Sequence, residues 1–270
     1  MIQARFEELN RQVIALYQEG RYAKAIAAAS EALTLAEALL GPEHPETATS
    51  LNNLAFLYNA QGRYADAEPL YRRALAIREQ ALGPKHPDTA LSLNNLAALY
   101  YAQGRYADTE PLYRRALTIR EQALGSKHPD TATSLNNLAE LYRAQGRYAD
   151  AEPLYWRALT IREQALGPEH PDTAMSLNNF ALLYNAQGRY ADAEPLYRRA
   201  LAIDEQALGL EHPDTATSLN NLARLYDTQG RYADAEPLYR RALAIVELAL
   251  GPEHPHTATS RGNLATLYYT

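Results

Sequence analysis

Two columns of asparagine recur in this sequence at a constant interval of 42 residues. The first column is Asn52, Asn94, Asn136, Asn178 and Asn220. An asparagine amide offers both donors and an acceptor, which is the chemistry needed to hold an extended peptide backbone whatever its side chains. We therefore expect the first column to contact a peptide ligand. The second column is expected to face a neighbouring helix and satisfy buried polar groups there; it is Asn53, Asn95, Asn137, Asn179, Asn221 and Asn263.

Two further columns vary from repeat to repeat, although most other columns are uniform. Four residues after the first asparagine the sequence reads Phe56, Ala98, Glu140, Leu182 and Arg224. Three residues later it reads Asn59, Tyr101, Arg143, Asn185 and Asp227. Because residues three or four apart share one face of a helix, both columns are predicted to lie on the face of the first asparagine column. The face is either an exposed surface under neutral drift or a groove whose side chains select a ligand.

Asparagine hydrogen bonds alone predict weak binding to such a face. Each net hydrogen bond contributes about 0.5–1.5 kcal/mol, whereas association itself costs about 4–15 kcal/mol. Specific binding therefore needs anchors, and the apolar candidates are Phe56, Tyr101 and Leu182. Arg143 and Arg224 are available for carboxylates. Alternatively, Glu140 with Arg143, and Arg224 with Asp227, form ion pairs along one helix.

Histidines recur with the same period, and the sequence favours a structural role for them. They are His44, His86, His128, His170, His212 and His254. One histidine per repeat places neighbours on the order of 20 Å apart, whereas metal ligation requires about 2 Å. We expect these histidines to cap helices and expect no metal site. Because catalysis needs an asymmetric constellation and every polar group here is repeated, the sequence predicts neither an enzyme nor a cofactor.

The elements that position these residues are set by the repeat. Twelve of the 13 glycines, from Gly20 to Gly251, lie 21 residues apart. The chain is thus predicted to be a single array of six units with a partial seventh helix: 10–51, 52–93, 94–135, 136–177, 178–219, 220–261 and 262–270. Apolar residues at helical spacing before and after Gly62 make each unit a helix hairpin. The charged residues of the second helix, Arg72, Arg73 and Arg78, are expected on a solvated face.

Glycine and proline predict where the helices begin and end. Gly62 suits the left-handed residue that ends a first helix, and Gly83 ends the second. Pro87 suits an early position of the next helix. Pro69 is tolerated near the start of a second helix only if that helix begins no earlier than about Tyr64, so a start at residue 64 or 65 is expected.

The repeated run resembles the tetratricopeptide repeat signature, in Leu54-Ala55, Tyr58, Gly62, Tyr64, Ala67, Tyr71 and Ala74. That family usually has a period of 34 residues, and the extra eight residues here lie in 77–88. The period of 42, Asn52-Asn53, Ile77-Arg78-Glu79 and His86-Pro87-Asp88 are similar to the kinesin light chain subclass. The resemblance implies an all-α solenoid, a right-handed α-α superhelix, whose first helices line a concave groove that binds extended peptides or partner helices. A protein interaction scaffold is the expected function.

Composition excludes several other classes of partner. A net charge of −6 provides no basic field for a phosphate backbone, so no nucleic acid is expected. The sequence contains no apolar run near the roughly 20 residues that cross a bilayer, so no membrane partner is expected. Without cysteine, disulfides and thiolate metal sites are excluded. The opening residues lack the pattern of a secretory signal, which favours a cytoplasmic protein.

The C-terminal segment supports a second hypothesis. Residues 262–270 begin a seventh first helix that has no partner, and Leu264, Leu267 and Tyr268 are expected to be partly bare. Such an end indicates either a chain that stacks end to end through its C-terminal helix or a regulatory repeat fragment of a larger multidomain protein.

Overall fold

Every regular element in residues 2–268, the part of the chain that the computed structural model describes, is an α-helix. The thirteen helices of this part are α1 (Ile2–Gln18), α2 (Tyr22–Leu40), α3 (Pro45–Ala60), α4 (Tyr64–Ala81), α5 (Pro87–Ala102), α6 (Tyr106–Ala123), α7 (Pro129–Ala144), α8 (Tyr148–Ala165), α9 (Pro171–Ala186), α10 (Tyr190–Ala207), α11 (Pro213–Thr228), α12 (Tyr232–Leu250) and α13 (Pro255–Leu267). The all-α prediction is confirmed. As expected from the longer repeat, the second helix α4 has 18 residues and the first helix α3 has 16.

Local sequence determines the helix boundaries as predicted. Gly62 and Gly83, with φ of +70° and +96°, end α3 and α4, and α4 begins at Tyr64. Pro87 is the first residue of α5, and the Nδ1 atom of His86 accepts a hydrogen bond from the backbone N–H of Asp88 at 3.1 Å. The same cap occurs at the other five histidines of the column, so their capping role is confirmed.

Two glycines provide an opposing pair of stability predictions. Gly146 lies between α7 and α8 with φ of +72°, whereas Gly262 lies inside α13, and a Cβ atom at either position meets nothing within 4 Å. Gly146→Ala should lower the free energy of unfolding by about 1 kcal/mol, because an L side chain disfavours the left-handed region. Gly262→Ala should raise it by about 1 kcal/mol, because alanine favours a helix interior. Urea unfolding monitored by circular dichroism measures both changes in the free energy of unfolding. Changes of the same sign would contradict the backbone conformations assigned to the two glycines.

The chain divides into two compact units, Met1–Ser126 and Lys127–Thr270. Within each unit, consecutive helices pack against one another, and neighbouring first helices also touch, as in α3 with α5 and α9 with α11. Small and large side chains alternate in the cores: Ala223 and Leu225 of the second unit pack with Tyr197 and Tyr239. A two-helix hairpin cannot cover its own apolar face, so each unit is stabilised by stacking one hairpin on the next.

The last helix is better covered than the sequence predicts. Leu267 is only 7% exposed and packs, together with Leu264, into the core of the second unit. The expectation of a bare end is wrong for Leu267, because α13 packs on α12 as well as on α11. Tyr268 does remain exposed, and its hydroxyl donates to Glu236 Oε1 at 2.8 Å. The final two residues of the predicted segment 262–270 lie outside the described residues.

Candidate functional site

The first asparagine column is more buried than the sequence predicts, and the second is more accessible. Asn52, Asn94, Asn136 and Asn178 of the first column are buried, with at most 8% of each residue exposed. The Nδ2 atom of Asn136 donates to Ser176 Oγ of the next first helix at 3.1 Å, and Asn178 makes the same bond to Ser218 at 2.7 Å. Asn52 and Asn220 repeat it with Ser92 and Ser260. Four of the five side chains are therefore less exposed than expected, while Asn220 is half-buried, and contact between this column and a ligand stays a prediction.

The second asparagine column takes the accessible position. Asn53 is exposed, and Asn137, Asn179 and Asn221 are half-buried. One residue turns a helix by about 100°. That rotation moves the side chain from the seam between adjacent first helices to their open face. Asn221 also donates from Nδ2 to Asn178 Oδ1 at 3.4 Å, which links the two columns.

Neighbouring asparagines in α7 offer a matched pair for the two columns. Asn136→Ala should lower the free energy of unfolding by about 1 kcal/mol, because it removes the hydrogen bond to Ser176 in the buried seam. Asn137→Ala should change it by less than about 0.5 kcal/mol, as is usual for accessible positions. Thermal and urea unfolding of the two variants provide the measurement. A larger loss for Asn137→Ala would show that the columns are assigned to the wrong faces.

The variable columns fall partly on the open face and partly within local contacts. Phe56 is 45% exposed, and Arg224 is also exposed. Leu182 is half-buried and packs against the core of the second unit. The remaining variable residues are also half-buried: Asn59, Ala98, Tyr101, Glu140, Arg143, Asn185 and Asp227.

Glu140 and Arg143 are expected either to contact a ligand or to pair with each other along one helix, and the structure shows the pair. Arg143 Nε donates to Glu140 Oε2 at 2.8 Å, and the Tyr155 hydroxyl donates to the same oxygen at 2.9 Å. The pair is an ion pair along one helix, as the i, i+3 spacing allows. Its charges are partly neutralised within the chain, which makes it a weaker anchor for a ligand than the exposed Arg224.

Hollows open between neighbouring helices on this face. In the first unit, α1 and α3 enclose about 310 Å³ beside Ile14, Tyr17, Asn53 and Phe56. In the second unit, the α9–α11 hollow of about 230 Å³ is lined by Met175, Asn178, Asn179, Asn221 and Asp204 among others. The α11–α13 hollow of about 480 Å³ is lined by Asn221, Arg224, Val246, His256 and Asn263 among others. Each hollow thus includes the second asparagine column.

Sequence reasoning missed a buried arginine near the end of the second helix. Arg78, expected on a solvated face, is buried. Its Nη1 atom donates to the carbonyl oxygen of Asp88 and to Ser92 Oγ, both at 3.1 Å, while Nη2 donates to Thr49 Oγ1 at 3.1 Å. Desolvation lowers the pKa of Arg78 below its ordinary value, although arginine stays protonated at neutral pH. The guanidinium therefore bridges two first helices.

A signal for this position was present in the sequence. Counting seven residues on from Tyr71 through Ala74 places Arg78 on the buried stripe of α4. The column then changes from arginine, at positions 78, 120 and 162, to Asp204 and Val246. These two exceptions line the α9–α11 and α11–α13 hollows. A change of charge in a buried repeat column marks a site that packing alone does not explain.

Two broader properties concern metals and membranes. Among residues 2–268, no group of three or more His, Asp or Glu side chains is placed to hold a metal ion. Within the same residues, no helix is long and apolar enough to span a bilayer.

Comparison with known proteins places the chain among repeat proteins. The sequence profile of the tetratricopeptide repeat family matches residues 9–80, 48–122, 88–164, 130–206, 172–247 and 228–270. A kinesin light chain-like protein of Podosopora anserina with nearly identical TPR-like repeats is 30% identical, over 76% of this chain and 97% of that one, with a TM-score of 0.62. BtubC (BKLC) from P. vanneervenii is 28% identical, over 92% and 94% of the two chains, with a TM-score of 0.65.

A more distant structure shares the fold alone. A Rap protein complexed with Competence and Sporulation Factor is 14% identical, over 99% of this chain and 85% of that one, with a TM-score of 0.66. The descriptions of these three structures name no reaction. A search among curated proteins found no match.

Proposed function

Because the chain belongs to the tetratricopeptide repeat family, whose members generally mediate protein–protein interaction, we propose that it binds an extended peptide segment of a protein partner along the open face of its first helices. The predicted family and its kinesin light chain-like subclass are confirmed by the matches to the profile and to the 30% identical structure. The observation that carries the proposal is the second asparagine column, which lines a hollow in each unit.

The spacing of the amides suits an extended backbone. Neighbouring first helices touch, so residues that recur once per repeat lie closer together than the roughly 20 Å expected from the sequence. Helices that pack directly lie about 8–10 Å apart, and an extended chain advances about 3.3 Å per residue. A bound peptide would thus pass one asparagine about every three residues, and each amide would be able to donate to and accept from its backbone. Such contacts hold a peptide in place but do not distinguish one sequence from another.

Selectivity then comes from the side chains that differ between repeats. Phe56 in the first unit and Arg224 in the second lie on the exposed face beside the asparagine column. An aromatic ring and a guanidinium are the types of side chain that dominate binding energy at interfaces. The Phe56 ring is already oriented by Tyr17, whose ring centroid lies 5.0 Å away. A ligand on the first unit therefore meets an aromatic anchor, and a ligand on the second unit meets a cationic one.

An array of 15-residue peptides probed with the labelled whole chain tests the proposal. The double variant Asn137→Ala with Asn179→Ala should weaken retention of the bound peptides about fivefold or more, because it removes two backbone contacts of about 0.5–1.5 kcal/mol each. The matched control is Gln164→Ala with Gln206→Ala, which deletes two exposed amides from second helices. Equal retention by the two double variants, or an array that retains no peptide, would reject groove binding, while retention only of helix-forming peptides would favour a partner helix.

End-to-end assembly remains the second candidate. Tyr268 is the exposed apolar residue at this end, while Leu267 is covered. Size-exclusion chromatography with light scattering distinguishes the two candidates. A monomer at every concentration would reject assembly, and a concentration-dependent polymer that Tyr268→Ala disrupts would support it.

A further inference from the structure

Two repeats of the second unit lack the buried guanidinium that bridges first helices at Arg78 and Arg162, and one of them replaces it with an acid. In α8, Arg162 Nη1 donates to the carbonyl oxygen of Asp172 at 2.9 Å and to Ser176 Oγ at 3.0 Å, and Nη2 donates to Thr133 Oγ1 at 3.2 Å. The same position of α10 is Asp204. The partner of the third bond changes as well, because Met175 stands in α9 where α7 has Thr133. The donor of this bridge and one of its acceptors are therefore both replaced in the same repeat.

The space beside Asp204 is lined by acidic residues, and the Asp204 carboxylate uses only part of its hydrogen-bonding capacity. The residue Asp204 is 4% exposed, and its Oδ2 atom accepts a hydrogen bond from Ser218 Oγ at 2.5 Å. Within residues 2–268 this is the one hydrogen bond that the Asp204 side chain accepts. Asp204 lines the α9–α11 hollow with Asp172 and Asp214, and no lysine or arginine is among the described residues that line it. A buried carboxylate without a countercharge is costly unless a cation meets it.

We propose that the α9–α11 hollow receives the guanidinium of an arginine side chain from the bound protein partner. The chain itself shows that a guanidinium fits between first helices, since Arg162 occupies the equivalent space one repeat earlier. Asp204 and Asp214 line the hollow, at the positions that correspond to Arg162 and Asp172 one repeat earlier, and Met175 adds an apolar wall. A planar fork suits a carboxylate and a nearby carbonyl better than the point charge of lysine.

The inference rests on the proposed function and gives it a chemical class of ligand. Asn179 and Asn221, which would hold the peptide backbone, line the same hollow as Asp204. A peptide lying across these amides can therefore insert one side chain between α9 and α11. Because no group of metal-binding side chains occurs in the described part of the chain, a basic side chain fits the site better than a metal ion. The partner segment would be basic at this repeat, opposite in charge to the hollow.

A single methyl group can report on the hollow in the whole chain. The sequence contains two methionines, and Met175 lines the hollow. With ¹³C-methyl methionine labelling, titration with Nα-acetyl-arginine methylamide should shift the Met175 resonance in a saturable way. The citrulline analogue, which has the same shape without the charge, and the lysine analogue should each bind about tenfold more weakly or worse.

Two variants at Asp204 separate the charge of the hollow from its shape. Asp204→Asn keeps the shape and should weaken binding of the arginine compound about tenfold. Asp204→Arg introduces the residue that three earlier repeats have at this position and should abolish the shift by filling the hollow, and its circular dichroism spectrum checks the fold. An unshifted Met175 in the wild type, equal binding of the lysine or citrulline analogue, or unchanged binding by either variant would overturn the inference. The titration needs no peptide backbone, so its failure is distinct from failure of the peptide array.

Discussion

Leu225→Ala is expected to lower the free energy of unfolding by about 2–5 kcal/mol. Leu225 is fully buried between Tyr197, Tyr239 and Leu267, in a core shared by neighbouring hairpins. Truncation leaves a cavity that rigidly packed helices fill only in part. Because each hairpin is stabilised by its neighbours, we also expect α11–α13 to unfold before the rest of the second unit. Urea unfolding gives the free energy, and hydrogen exchange identifies the helices that open first.

Leu210→Ala is the matched control for this prediction. Leu210 is 61% exposed in the connector before α11, so the same atoms are removed from water rather than from a core. The change should alter stability by less than about 0.5 kcal/mol. Similar losses for the two variants would mean that Leu225 is not part of a packed interface between hairpins.

Arg162→Ala is expected to cost about 3 kcal/mol, whereas Asp204→Ala at the same position of the next repeat should be close to neutral or stabilising. Arg162 makes three hydrogen bonds to neutral acceptors, and charge-assisted bonds contribute about 1.5–3 kcal/mol each before the recovered hydration of the guanidinium is subtracted. Asp204 makes one hydrogen bond, with Ser218, and the desolvation of its buried carboxylate lowers the free energy of unfolding. Denaturation midpoints of the two variants provide the comparison. A larger loss for Asp204→Ala would contradict the contrast between the two repeats.

The acid dependence of stability provides a separate test of Asp204. Burial raises the pKa of its carboxyl above the ordinary 3.8, and the negative charge of Asp214 acts in the same direction, while the hydrogen bond from Ser218 acts against it. A raised pKa means that the folded state takes up a proton before the unfolded state does as pH falls. Relative to Asp204→Asn, the wild type should therefore gain stability between the raised pKa and about 3.8, and this gain should be lost as pH rises through the raised pKa.

Comparison with the Asp204→Asn variant isolates this effect, because acid-labile ion pairs elsewhere are shared by both chains. Urea unfolding of both proteins across the acid range measures the difference in free energy. A difference that does not change with pH, or that changes in favour of Asp204→Asn as pH falls, would show that the carboxylate is not desolvated in the folded chain.

Much of the fold was predictable because its determinants are local. A glycine with positive φ, a proline at a helix start and a histidine cap act over a few residues, and Gly62, Pro87 and His86 have the predicted roles. The histidine column illustrates why a repeated sequence makes the role of a residue easier to predict. A residue that recurs once per hairpin takes the same structural role each time, so a capping role at one position implied it at the others.

The candidate site was less predictable because adjacent columns on a first helix differ by only about 100° of rotation. A first helix in this fold touches its own second helix and the helices of the next hairpin, so only a narrow stripe stays open. Asn136 and Asn137 have identical chemistry, and nothing in their types shows which of them points into the seam. The serine that accepts from Asn136 is 40 residues away, at Ser176.

The sequence by itself determined the helices, their boundaries, the repeat and the family, since these depend on residues near one another along the chain. Tertiary structure alone decided which asparagine column is open, that Arg78 is buried, and that Asp204 lines a hollow. The physical reason is that burial and charge compensation depend on which side chains meet across the seam between hairpins. The two terminal nitrogens of Arg162 donate to Ser176 and Thr133 only because these side chains approach from two different helices.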